Sequence, residues 1–255
     1  MSKVVIVLPA YNAAKTLHLT VRDIPEQYRK DMILVDDCSS DDTVKTAEAL
    51  GIRAVRHERN TGYGGNQKTC YRLALAAGAD IVVMVHPDYQ YNPKIVPHMA
   101  GLIEKDICDV VLGNRVRTRR ETLRGGMPLY KYVANRFLSV ACNIVTGENL
   151  GEWHSGLRAY SARVLKVLPW EMNSDDFIFD MQFLVQASSL GLRIGDIPVE
   201  AKYFSAASSI NFRRSLVYGL LTLAVLAQYI LHKTRLASGG AFANMKQIKV
   251  RRIRD

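Results

Sequence analysis

Short apolar runs alternate with polar loops and longer amphipathic stretches along the first two hundred residues. Residues 4–8 (VVIVL) are β-branched and apolar on both faces, the pattern of a strand covered by helices on each side. Pro9 is predicted to stop that strand. Further strands are predicted at 32–35, 52–57, 81–85, 109–112 and 193–198, with a short strand or bend after Arg158. Helices are predicted between them: 13–24 with Asn12 as N-cap, 43–50 capped by Asp41 and Asp42 and closed by Gly51, 66–77 closed by Gly78, 93–103, 130–145, 161–168 and 177–190. Strand, loop and helix in repeated succession predict an α/β fold around a mostly parallel sheet with right-handed crossovers.

Two segments break this rhythm. Residues 115–126 hold Arg115, Arg117, Arg119, Arg120 and Arg124 with a Gly-Gly pair, and read as a polar, flexible insertion over a site. Residues 216–231 carry no charge, yet Arg213 and Arg214 precede them and His232, Lys233 and Arg235 follow. Sixteen helical residues rise about 24 Å, short of a hydrocarbon core of about 30 Å. A helix lying at the headgroup interface suits this pattern, each basic residue near anionic lipid adding about 1 kcal/mol. The alternative is a core or homodimer-interface helix.

Charge sharpens the division. Residues 202–255 hold ten of the 34 Lys and Arg but only one of the 24 acids, so they supply nine of the ten net positive charges. A neutral body with a basic end points to attachment, and argues against nucleic acid as partner. Three segments are expected: a 1–212 domain, a 213–236 apolar or interfacial helix with basic flanks, and a 237–255 basic tail. The N terminus does not read as a signal peptide, since Pro9 and Tyr11-Asn12 follow only five apolar residues. Cys38, Cys70, Cys108 and Cys142 lack CxxC spacing and read as core or turn residues of a reducing, cytoplasmic compartment.

Acidic turns follow two of the strands. Asp36-Asp37 closes 32–35, where one carboxylate is expected to face a crevice and accept from a nucleobase or ribose while the other braces the loop or caps a helix. Asp88 lies three residues past 81–85 and suits Mg²⁺ or Mn²⁺ whose other ligands are phosphate oxygens; its alternative is a turn former between Pro87 and Pro93. His86 reads as a second metal ligand, a donor to phosphate or a packing residue. The 62–65 glycine turn matches neither GxGxxG after the first strand nor a P-loop, which disfavours NAD and P-loop ATP chemistry. Arg115, Lys131, Arg158 and Lys202 offer cations for a leaving diphosphate, with Ser155-Gly-Leu-Arg158 the most arranged of these sites. Glu152, Asp175, Asp176 and Asp180 are candidate bases, and Asp175-Asp176 are also candidate caps for the helix near Phe177.

Six motifs in order, Pro9-Ala-Tyr-Asn12, Val35-Asp-Asp-Cys-Ser-Ser-Asp-Asp-Thr43, Asn60-Thr-Gly-Tyr-Gly64, the Asp88 turn, Gly113-Asn-Arg115 and Ser155-Gly-Leu-Arg-Ala159, resemble a family 2 glycosyltransferase of the GT-A fold. Their spacing is similar to the branch that transfers sugars to polyprenyl or dolichol phosphate, and the resemblance spans residues 3–212. It implies one Rossmann-like domain and inverting transfer from a UDP- or GDP-linked sugar. It also implies nucleotide recognition by Asp37 with Pro9 and Tyr11, a metal on the His86-Pro-Asp88 motif, and phosphate contacts by Arg115, Lys131 and, later in the chain, Lys202. The implied partners are the nucleotide sugar, a lipid phosphate and the cytoplasmic face of a membrane, touched peripherally or through a membrane partner.

Three positions depart from the family pattern. His86 stands where Asp is usual, Ala13 where a carboxylate is usual, and Glu152 where Asp precedes the Ser-Gly pair. Fewer anionic ligands weaken a metal site or change its preference. His86 and Ala13 motivate one alternative, a non-catalytic nucleotide-sugar-binding scaffold; a second alternative leaves the acceptor open, as a hydroxyl of a glycan or lipid-linked sugar with Glu152 or Asp176 as base.

Overall fold

A computed structural model describes residues 2–202, 212–237, 239–243 and 245. The basic run at 246–254 lies outside the described residues. In chain order the elements are β1 (Val4–Ala10), α1 (Ala14–Asp23), α2 (Glu26–Arg29), β2 (Met32–Asp36), α3 (Thr43–Ala49), β3 (Arg53–Arg56), α4 (Tyr63–Ala76), β4 (Ile81–Met84) and α5 (Val96–Glu104). There follow β5 (Val110–Asn114), α6 (Arg119–Arg124), α7 (Leu129–Thr146), β6 (Arg158–Ser161), α8 (Ala162–Val167), α9 (Phe179–Ser189), β7 (Ile194–Pro198) and α10 (Phe212–Lys233).

Seven strands form one sheet in the order β3-β2-β1-β4-β6-β5-β7. The β3-β2-β1-β4 and β5-β7 pairings are parallel, while β6 runs antiparallel to both β4 and β5. Strand β6 is the exception because its chain enters the sheet from the edge at which the others leave: Arg158 faces both Met84 and Leu112. Segments after β1, β2, β4, β5 and β7, and the segment before β6, therefore share one edge. That is where ligands of open α/β sheets bind.

Apolar side chains pack on both faces. Residues of α1, α3 and α5 cover Ile6, Leu8, Leu34 and Val83, while α4, α7, α9 and α10 cover Val5, Val7, Val35 and Met84. Burial on both faces explains why the strands read as continuous apolar runs. Cys70 and Cys142 lie in the second core, and burial pushes the Cys142 thiol up to about 12. All four cysteines are free, and Cys38 occupies a turn at φ +64°.

Several boundaries differ from the sequence reading. Pro9 does not stop β1; it pairs opposite Val35, past the end of the β4 ladder at Val7–Met84, where no neighbour asks for its missing N–H. Asn12 is not the N-cap of α1. It sits at φ +53° and accepts from Ser40 N, while Asp41 Oδ2 accepts from Ala14 N and Thr43 Oγ1 from Ala13 N. Helix α4 begins at Tyr63, so the glycine turn is its first turn. The 115–126 insertion holds the short helix α6, capped by Thr118, which accepts from Glu121 N.

Helix α10 extends through both basic flanks to twenty-two residues, about 33 Å. It is long and apolar enough to cross a membrane. Its inner face nevertheless packs on the domain: Val225, Leu226 and Tyr229 are buried, and Gly219 lies against Leu138 of α7.

Candidate active site

The segment after β2 is held from within. Asp37 is buried, and its carboxylate accepts from Thr61 N at 2.8 Å, Thr61 Oγ1 at 2.7 Å and Gly62 N at 3.0 Å, with His57 Nδ1 at 2.8 Å. Four partners occupy the lone pairs a carboxylate offers. Asp37 therefore fastens the 60–62 turn to β2, and any part it takes in nucleoside recognition passes through that turn. Asp36 accepts from Ser39 N at 3.0 Å, so both acids of the pair brace loops. Gly62 has φ +85°, and a Cβ there would meet the Asp175 carbonyl oxygen at 2.5 Å. Only glycine fits. Tyr11 stands exposed at the same edge and Pro9 is buried behind it.

The turn after β4 is anchored on three sides. Asp88 is half-buried, and its Oδ1 accepts from Gln90 N at 3.0 Å. Tyr89, at φ +56°, donates its hydroxyl to Asp23 Oδ2 of α1 at 2.5 Å. Gln90 O accepts from Lys202 N at 2.8 Å, and Tyr91 forms a bridge with Ala201. The Lys202 ammonium itself is exposed beside Glu200 at 4.0 Å. Gly156 N donates to Tyr91 Oη at 3.1 Å, tying the segment before β6 to the same turn.

His86 points inward. Its ring stacks on Tyr63 with centroids 5.5 Å apart, Nε2 lies 3.2 Å from the Tyr63 hydroxyl, and burial holds the imidazole below its ordinary pKa. A Cβ at Gly156 would strike His86 Cδ2 at 2.8 Å. Tyr63 donates to Asp180 Oδ2 at 2.7 Å, and Asp180 in turn lies 3.5 Å from the Arg158 guanidinium.

Arg158 is fully buried and donates to the carbonyls of Ser155, Trp153 and Asp180. It is a keystone of the fold and not, as its turn suggested, a substrate contact. Asp180 belongs to the same buried network. Asp175 pairs with Lys68 at 2.7 Å and Asp176 accepts from Phe177 N at 2.7 Å, so these two acids serve the loop before α9.

Arg115, leaving β5, is oriented with unusual completeness. Its Nε donates to Glu152 Oε1 at 2.6 Å, its backbone N to Glu152 Oε2 at 3.0 Å, and its Nη2 to His154 O at 3.1 Å. Glu152 is fully buried and also accepts from Asn135 of α7 at 2.9 Å. The Arg115 guanidinium lies 6.0 Å from the Tyr91 ring centroid, which joins this cation to the Asp88 turn. Lys131, on the first turns of α7, is held below its ordinary pKa by burial and by the Arg115 charge. Arg117, Arg119, Arg120 and Arg124 are exposed.

No three His, Cys, Asp or Glu side chains cluster as a ligand cage among the described residues. One half-buried carboxylate at the strand edge suits a divalent ion that takes its other ligands from phosphate and water, the habit of Mg²⁺. Asp88 meets that requirement. His86 offers Nε2 to Tyr63, so as a metal ligand it would have to use Nδ1 or turn.

The sequence assigns no individual role to Tyr63, Tyr91, His57 or Asn135. Each acts across more than ten residues of chain, and no local pattern marks an aromatic hydroxyl or an amide that will meet a distant carboxylate.

Comparison with known proteins accords with this arrangement. The chain is 30% identical over 225 residues to the UDP-N-acetylglucosamine--dolichyl-phosphate N-acetylglucosaminyltransferase of Methanococcus voltae, covering 81% of this chain and 89% of that one. It is 26% identical over 211 residues to the undecaprenyl-phosphate mannosyltransferase of Micrococcus luteus, covering 77% and 82%. Among solved structures, glucosyl-3-phosphoglycerate synthase from Mycobacterium tuberculosis in complex with UDP superposes with a TM-score of 0.68 at 23% identity, over 89% of this chain and 80% of that one. At that identity the likeness shows the fold, a GT-A-type sheet with its helices. Residues 5–168 match the model described as glycosyl transferase family 2, and with the dolichyl-phosphate relative this establishes that the chain is a glycosyltransferase belonging to that family.

Proposed function

We propose that this enzyme transfers a sugar, with inversion, from a UDP- or GDP-linked donor to a polyprenyl phosphate at the cytoplasmic face of a membrane, with residues 1–212 as the catalytic domain, 213–236 as an interfacial helix and 237–255 as a basic tail. The observation that carries it is the pairing of two cations, Arg115 and Lys131, on the sheet edge that also bears the Asp88 turn. Anionic donor and anionic acceptor both need positive charge there. The names of the two curated relatives, each a transferase to a lipid phosphate, support the acceptor class.

A phosphate acceptor is already ionised near neutral pH and attacks without a deprotonating base. Its oxygen forms the new bond to the anomeric carbon as the bond from that carbon to the diphosphate oxygen breaks, and the electron pair leaves on the diphosphate. Glu152 is committed to Arg115 and Asn135, which suits a reaction that asks no base of it. Arg115 and Lys131 hold phosphate oxygens and favour the charge that develops on the leaving group. Asp88 would hold Mg²⁺ or Mn²⁺, which when bound neutralises diphosphate charge. The 60–62 turn, set by Asp37, shapes the nucleoside end beside Tyr11 and Pro9, and Lys202 stands at the far side of the Asp88 turn.

The test is a screen of UDP- and GDP-sugars with Mg²⁺ or Mn²⁺ and either undecaprenyl or dolichyl phosphate, read by nucleotide release and by mass spectrometry of the glycolipid. Formation of a sugar phospholipid is expected. Turnover only with hydroxyl acceptors, or none with any donor, would overturn the assignment.

A further inference from the structure

The segment after α10 turns back onto the domain. Gly240–Phe242 forms a short 3₁₀ turn in which Ala241 and Phe242 are buried, and Met245 is buried beyond it. Phe242 joins the core beside α9 and α10, stacking on His232 with ring centroids 5.1 Å apart and meeting the Tyr229 ring at 6.1 Å. Backbone seated in a core needs a partner for its carbonyl. The Ala241 carbonyl oxygen accepts from Gln186 Nε2 of α9 at 2.6 Å. Gln186 is fully buried and bonds in a second direction: Nε2 also donates to Asn173 Oδ1 at 2.8 Å, and Oε1 accepts from Asn173 Nδ2 at 3.0 Å. One turn earlier on α9, Gln182 Oε1 accepts from Ser174 N at 2.7 Å. From α4, Lys68 Nζ donates to Asn173 O at 2.5 Å and to Asp175 Oδ1 at 2.7 Å. The 173–175 loop so held presents the Asp175 carbonyl oxygen to Gly64 N at 2.7 Å and Gly65 N at 3.2 Å. Those amides open α4, and Gly62 N just before them binds Asp37.

We infer that Gln186 is a positioning residue: it ties the Gly240–Phe242 turn to the 173–175 loop and through that loop sets the 62–65 glycine turn at the nucleotide side of the site. The inference rests on the part proposed above for the 60–62 turn. Three of the four residues at 62–65 are glycines, so the turn has almost no side chains with which to hold its own place. Its position comes from backbone bonds to Asp175 and Asp37 instead. Helix α9 is apolar around Gln186, with Phe183, Leu184, Val185 and Ala187 fully buried. Burying an amide there costs free energy unless its bonds are made, so residue 186 serves those bonds rather than the packing. Coupling of this kind is carried by contiguous hydrogen-bond networks and the rigid elements they join. Unseating Phe242 withdraws the Ala241 carbonyl from Gln186, loosens the amide pair with Asn173, and frees the loop on which the glycine turn rests.

The test uses the full chain and follows hydrogen exchange of the 60–66 peptide by mass spectrometry, without ligand. Exchange there is expected to quicken about tenfold in Phe242→Ala and in Gln186→Met, which keeps the volume but drops the bonds, and to stay protected in Phe242→Leu. Met99→Ala, a truncation in the core on the other face of the sheet, is expected to leave that peptide unchanged. In calorimetric titrations with UDP and GDP, the nucleotide that binds is expected to lose about fivefold in affinity in Phe242→Ala and Gln186→Met. The KM for polyprenyl phosphate should not move. Unchanged exchange at 60–66 in folded Phe242→Ala would overturn the inference. So would equal acceleration in Met99→Ala, which reduces the effect to a general loss of stability. Faster exchange confined to Phe242→Ala and Gln186→Met, with UDP and GDP affinity unchanged, would uphold the link and count against the nucleotide role of the turn, so the two failures are separable.

Discussion

Arg115 Nε donates to Glu152 at 2.6 Å, and the backbone N of the same arginine binds the other oxygen of the same buried carboxylate. Glu152 thus sets both the position and the direction of the cation. Removing one member of a buried pair leaves the other uncompensated. Glu152→Ala is expected to lower unfolding free energy by about 3 kcal/mol, measured by denaturant titration, and to raise the KM for the proposed phosphate acceptor as Arg115 loses its orientation.

Asp37 organises by the same means. Its four internal partners tie the 60–62 turn to β2, so Asp37→Ala is expected both to weaken nucleotide binding, read by calorimetric titration, and to destabilise the fold by about 2 kcal/mol. Intact stability with lost binding would instead mean that the carboxylate itself meets the nucleoside.

Asp88→Asn preserves the acceptor oxygen used by Gln90 N while removing the charge. Metal-dependent transfer is expected to fall on the order of 100-fold, with an unchanged melting temperature and weaker Mn²⁺ binding by paramagnetic titration. Normal turnover would overturn the metal role proposed for Asp88.

Lys131 supplies a pH signature. Burial and the Arg115 charge favour its neutral form, so its proton leaves at a lower pH than that of a free lysine. Transfer is expected to decline on the alkaline side through that titration, and Lys131→Arg to move the decline to higher pH.

His154 governs stability on the acid side. Burial, with Arg115 and Arg158 nearby, lowers its pKa from 6.5 to about 3, and its Nδ1 meets the Tyr218 hydroxyl of α10 at 2.9 Å. Between those two values the unfolded chain takes up a proton that the folded chain refuses, so stability falls as pH drops through this window. His154→Gln is expected to make the fall shallower by up to about 1.4 kcal/mol per pH unit, one proton's worth.

Local pattern carried most of the architecture. Strands covered on both faces leave uninterrupted runs of Val, Ile and Leu, and helices end on glycines such as Gly51 and Gly78, whose positive φ no other residue adopts cheaply. These signals lie within a few residues of one another, so β1 to β4 and the helices after them are legible, as is the Asp88 turn that follows β4. The family followed from six such motifs in order.

What the chain alone could not settle is which charges are spent on the protein itself. Arg115 and Arg158 are both arginines in short turns, yet one lies at the sheet edge beside Tyr91 and Lys131 while the other is sealed beneath it on Asp180 and three carbonyls. Asp37 likewise looks available until the 60–62 turn folds onto it. The two faces of α7 were equally hidden, because an apolar residue has the same identity whether it is buried in the core or exposed. Burial and pairing depend on segments brought together across 22 to 37 residues of chain in the pairs Arg158–Asp180, Asp37–Thr61 and Arg115–Glu152, and only the assembled sheet determines where those segments meet.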